Sequence, residues 1–61
     1  MPNLTTQELQ MIRQSLENEK SLVQLYRTAS QTTDDPVLRG KWEEITAAHQ
    51  EHWNRLLGYL N

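Results

Sequence analysis

Apolar residues recur at alternating steps of three and four along two stretches of this chain. The first stretch carries Leu9, Ile12, Leu16, Val23 and Tyr26, with Glu19 on the step between Leu16 and Val23. The second carries Leu38, Trp42, Ile45, Leu56 and Tyr59, with His49 and His52 on the intervening steps. Such spacing is the signature of an amphipathic helix that buries one stripe. Both stripes are apolar except at their middles. There, one holds a carboxylate and the other two imidazoles.

The punctuation between the stretches is plain. Thr5 followed three residues later by Glu8 forms a capping box, and Leu4 and Leu9 can pack across it as a hydrophobic staple. Asp35 supplies a second cap, with Pro36 at the first helical position, where a missing N–H does no harm. Gly40 weakens the first turns of the second helix slightly, and Gly58 marks fraying near its end. These signals predict one domain over residues 1–61, with helix 1 at about 6–31 and helix 2 at about 36–59. The polar segment Gln31-Thr32-Thr33-Asp34 is short enough to return the chain as an antiparallel hairpin. No strand pattern, low-complexity segment or convincing internal repeat interrupts this all-α reading.

A hairpin of two helices has a single seam, and this chain has more apolar surface than one seam hides. Leu22, Leu25 and Ala29 flank the first stripe; Ala48, Trp53, Leu57 and Leu60 flank the second. An apolar band widened on both helices is what a four-helix bundle requires. Two copies related by a two-fold axis would supply it. The expected partner is therefore the chain itself, as a homodimer or higher homo-oligomer.

Composition narrows the function classes. At 61 residues the chain can bury only a small core, and chains of this size usually lean on disulfides, metal or partner subunits. It has no cysteine, which removes disulfides and thiolate sites and leaves the redox compartment open. Eight acidic residues face six basic ones, and the positive charges (Arg13, Lys20, Arg27, Arg39, Lys41, Arg55) look scattered. That pattern argues against a nucleic-acid partner. No apolar run is long enough to span a bilayer, and Met1-Pro2-Asn3 does not open a signal peptide. The expectation is a cytoplasmic location.

Counting from Thr33 brings the three interrupting residues together. Glu19 precedes it by 14 residues, while His49 and His52 follow it by 16 and 19. Side chains lean toward the N-terminus of their helix. In an antiparallel pair this carries Glu19 away from the turn and both histidines toward it. The carboxylate should fall at a height between the two imidazoles. Their separation of three places His49 and His52 on one helix face, where both can present a nitrogen to one ion.

At this point the chain resembles a known group. Glu19 with Tyr26 seven residues on, a turn ending in Asp35-Pro36, and His-x-x-His within "AAHQEHWNRLL" resemble one half of a ferritin-like or rubrerythrin-like bundle. Over Leu4 to Leu60 the arrangement is similar to small ferritin-like proteins of the spore coat, near the spore coat protein F group of endospore-forming bacteria. The resemblance implies a ferritin-like four-helix bundle in which Glu19, His49 and His52 are metal ligands. It also implies a structural or metal-holding role in the spore coat or in sporulation, with other spore coat proteins as partners. Glu19 matches the family's lone helix ligand, and His52 matches the histidine of Glu-x-x-His. His49 stands where that motif has its bridging glutamate. An imidazole cannot bridge two irons and brings no negative charge, so the departure counts against an oxygen-activating di-iron centre.

Three functional readings follow. The first is a metal-holding bundle; a mainly imidazole set suits zinc, copper, nickel or ferrous iron. The second is a di-metal oxidoreductase using oxygen, peroxide or ferrous iron, which the missing glutamate disfavours; on balance the chain reads as a non-enzyme. The third is a metal-free assembly module, in which the same residues form a hydrogen-bonded layer that fixes register. Tyr26 and Trp42, at similar distances from the turn, are expected to pack together as core, and Trp53 to fill an interface. Glu43, Glu44 and Glu51 read as solvated, with Glu44 a candidate to support the histidines. Arg13 with Glu17 and Glu51 with Arg55 read as surface pairs.

Overall fold

A computed structural model describes residues 4–60; Met1-Pro2-Asn3 and Asn61 lie outside the described residues. Two helices fill it: α1 over Thr6–Thr32 and α2 over Pro36–Gly58. They run antiparallel, as the short connection requires. The molecule measures 46 × 16 × 12 Å. Its thinnest dimension is about one helix diameter, so the core is a line rather than a volume.

Each helix start follows from its sequence. The Thr5 hydroxyl accepts from the Glu8 backbone N–H at 3.0 Å, and the Glu8 carboxylate accepts from the Thr5 N–H at 3.0 Å. The Asp35 carboxylate accepts from the N–H groups of Val37 and Leu38 at 2.9 and 3.2 Å. In both cases a side chain satisfies amides that the helix itself leaves orphaned.

The turn is shorter than its polar sequence suggests. Gln31 and Thr32 continue α1, and only residues 33–35 connect the helices. The Thr32 hydroxyl donates to the Thr28 carbonyl at 3.0 Å, which suits a helical rather than a turn conformation. Beyond it, Arg39 reaches back from α2. Its guanidinium donates to the carbonyls of Ser30 and Thr33 at 3.2 and 2.7 Å. This cationic clasp takes up acceptors at the negative end of the α1 dipole.

The seam is as narrow as a two-helix protein implies. Among the described residues only Val23 is buried. Leu9, Ile12, Leu16, Ile45 and Leu56 are half-buried along the same line. Leu38 and Tyr59, expected within the seam, are exposed because they sit at the two ends of α2. Met11 and Leu25 are also exposed, so the hairpin leaves apolar surface uncovered. Glu51 and Arg55 pair at 2.7 Å as expected, whereas Arg13 and Glu17 form no ion pair. Both of the latter are exposed, where hydration competes with a weak attraction.

Candidate metal centre

Glu19 lies at the middle of α1, and His49 and His52 lie one helical turn apart at the middle of α2. The helices bring all three together. Glu19 Oε2 stands 2.6 Å from His49 Nδ1, and Glu19 Oε1 stands 3.7 Å from His52 Nδ1. One donor atom from each residue lies within 4.8 Å of the others. The carboxylate divides its two oxygens between the two rings, as its expected height requires.

Exposure grades across the group. The side chains of Glu19 and His49 are 18% and 23% exposed, and that of His52 is 51% exposed. The site is therefore closed by the seam on the Glu19–His49 side and open on the His52 side. A shallow groove at that opening is lined by Ser15, Glu19, His52, Arg55 and Leu56.

The 2.6 Å contact constrains the chemistry. It is a short hydrogen bond, just under the roughly 2.7–2.9 Å of charge-assisted N–H···O pairs. With Nδ1 donating to the carboxylate, the His49 Nε2 is left as the free lone pair. Two ligands sharing one tetrahedral ion at a bond length near 2.05 Å sit about 3.3 Å apart. Direct ligation by Glu19 and His49 Nδ1 would therefore open this contact by several tenths of an ångström and release the Nδ1 proton. The alternative keeps the hydrogen bond: Glu19 orients His49, which then presents Nε2 to the ion, as carboxylates commonly do behind ligating histidines. Either way the donor set is one carboxylate and two imidazoles, a combination suited to divalent transition metals.

An aromatic stack supports the His49 ring. Tyr26 lies 5.7 Å from it, centroid to centroid, with 3° between the planes. On the ring of Tyr26 packs Trp42, 5.5 Å away at 24°, the pair expected from the sequence. The His49 and His52 rings meet edge to face at 5.7 Å. The stack on His49 was not read from the sequence, because Tyr26 and His49 are not level. The signal lay in the lean of their side chains, which moves the two rings toward each other along an antiparallel pair.

Other candidate residues sit elsewhere. Glu44 is 74% exposed and lies 3.9 Å from Lys41, so it supports neither histidine. Trp53 follows His52 in sequence but lines a different groove, with Val23, Lys20 and Arg27. Among the described residues no helix is long and apolar enough to cross a membrane. No protein-family model, curated protein or solved structure matches the chain.

Proposed function

We propose that this chain is a small metal-holding helical hairpin that associates with itself through the flank on which the Glu19, His49 and His52 layer opens. The observation that carries the reading is the convergence of one carboxylate and two imidazoles at mid-seam, with donor atoms within 4.8 Å and one side accessible. Two half-buried polar groups, Glu19 and His49, interrupt an apolar line, which is costly unless they satisfy each other or hold something.

Self-association follows from the same flank. By helical phase, Leu22 and Ala29 of α1 and Ala48 of α2 lie beside the opening, with exposed Met11 and Leu25 further round. A second hairpin laid there would shield His52 and complete a four-helix bundle. By the resemblance of the Glu19 and His-x-x-His frame, the role we assign is that of a ferritin-like structural or metal-holding component of the spore coat. The di-metal oxidoreductase reading has weaker support, since Glu19 is the only carboxylate in the group.

The test is elemental analysis of protein purified without chelator, paired with thermal melts in zinc, copper, nickel and ferrous iron. Stoichiometric metal, and a rise in Tm that disappears in His49→Ala and His52→Ala, is the expected result. No bound metal and no shift with any of the four ions would defeat it. A second reading, a metal-free layer that fixes helix register, is favoured by the 2.6 Å hydrogen bond. It also agrees with the finding that no buried side-chain polar atom lacks a partner among the described residues.

A further inference from the structure

The flank of the seam opposite the histidine opening has different chemistry. Lys20 and Arg27 stand seven residues apart on α1, about 10 Å along its axis, and so on one row. Two of the six positive charges scattered along the sequence are therefore aligned by the helix. Both line an open groove of about 580 Å³ between the helices, together with Val23 of α1 and Trp53 of α2. Gln24, Gln31 and Gln50 add amide groups to the lining. No aspartate or glutamate lines it, although the chain as a whole carries a net charge of −2. Neither Lys20 nor Arg27 forms an ion pair among the described residues. This groove shares no lining residue with the one at Glu19 and His52.

We propose that this groove binds a small ligand carrying two or more negative charges beside a planar ring, the chemistry of a nucleoside diphosphate. Its volume lies within the roughly 300–1,000 Å³ of small-molecule sites. The two cations are spaced to hold the ends of an extended dianion; the guanidinium offers a fork to one terminal oxyanion pair and the ammonium a point charge to the other. Trp53, within the lining, supplies the aromatic ring on which a base would stack, and the amides can pair with the edge of that base. The site stands independently of metal binding, because the two grooves are separate.

Calorimetric titration with ADP, adenosine and pyrophosphate, in buffer stripped of metal, tests the proposal. ADP should bind saturably, quench the Trp53 fluorescence, and bind about tenfold or more tightly than either fragment. Raising the salt should weaken it. Lys20→Gln and Arg27→Gln should each weaken ADP binding by about tenfold. Trp53→Phe should retain binding and Trp53→Ala lose it, with helicity checked in parallel. His49→Ala and His52→Ala should bind ADP as the unmodified chain does. The proposal is overturned if ADP shows no saturable binding at millimolar concentration, or if pyrophosphate binds as well as ADP. It is equally overturned if the histidine variants rather than the Lys20 and Arg27 variants lose binding.

Discussion

The Tyr26 ring lies parallel to the His49 imidazole, 5.7 Å away and within 3° of coplanar alignment. At its edge His49 is held by Glu19 through a 2.6 Å hydrogen bond from Nδ1. The imidazole is thus fixed in tilt by an aromatic face and in rotation by a carboxylate. A side chain locked this way is pre-organised, and little rotamer freedom remains to be lost on binding.

Removing the ring should loosen the site as well as the fold. Tyr26→Ala takes away the ring contacts to both Trp42 and His49 in a seam otherwise lined mainly by aliphatic side chains. We expect a loss of about 2 kcal/mol, below the full-core range because the residue is only half-buried. Tyr26→Phe keeps the stack and should cost under 1 kcal/mol or so. Urea denaturation followed by circular dichroism measures both. Equal losses from the two variants would mean that the hydroxyl, not the stack, matters.

Much of this was legible beforehand, for a physical reason. Helical phase is set by counting residues, so the meeting of Glu19, His49 and His52 followed from their distances to Thr33. The caps at Thr5 and Asp35 were equally readable, since each is a local side-chain-to-backbone bond. What escaped were features that depend on where long side chains travel. Arg39 crosses from α2 to the end of α1, Tyr26 leans onto a histidine two turns away, and Lys20 and Arg27 border one groove with Trp53. Surface pairing of Arg13 with Glu17 failed because nothing but hydration decides it.

The carboxylate at position 19 distinguishes ligand from spacer. Glu19→Gln keeps the size and one acceptor but loses the charge. If the layer holds metal, this variant should bind zinc about 10- to 100-fold more weakly, whether Glu19 ligates directly or orients His49. Glu19→Leu should abolish binding and lower the apo stability by about 1 kcal/mol, since it leaves the half-buried His49 Nδ1 without its acceptor. Zinc titration against a chromophoric competitor reads the first effect and thermal melting the second. Unchanged zinc affinity in both variants would remove Glu19 from the site.

Acid should unravel the start of α1 ahead of its centre. The Glu8 carboxyl is held below its ordinary value of 4.5 by the Thr5 backbone N–H that it accepts, and secondarily by the Thr5 hydroxyl. A depressed value in the folded state means the cap's contribution is complete above 4.5 and fades as the pH falls through the lower folded value. Protection of the amides of residues 6–9, relative to their intrinsic exchange rate at each pH, should therefore fall on acidification below that range. Glu8→Gln should flatten this local pH dependence. A cap whose protection is the same either side of that range would show that Glu8 does not govern it.

The turn depends on Arg39. Its guanidinium supplies two hydrogen bonds across the connection, to the carbonyls of Ser30 and Thr33. Arg39→Ala should destabilise the hairpin by about 0.5–1 kcal/mol, the lower part of the hydrogen-bond range because the site is exposed. Arg39→Lys should recover only part of that, since an ammonium lacks the planar fork that addresses two carbonyls together. The difference is measurable as a shift in the urea midpoint at unchanged slope.

Assembly is the remaining consequence of a core only one helix thick. A hairpin with Val23 as the single buried residue among those described has too little interior to account for a secure fold alone. The flank bearing Leu22, Ala29 and Ala48 would gain most from a second copy. Sedimentation equilibrium at micromolar concentration should therefore give twice the 7.2 kDa chain mass. Leu22→Glu places a charge where the two copies would meet and should shift the equilibrium toward monomer with loss of helicity. Gln10→Glu, a charge added on the exposed back of α1, should leave the mass unchanged. A folded monomer of the unmodified chain at that concentration would defeat the dimer while leaving the carboxylate–imidazole layer to be judged on its own measurements.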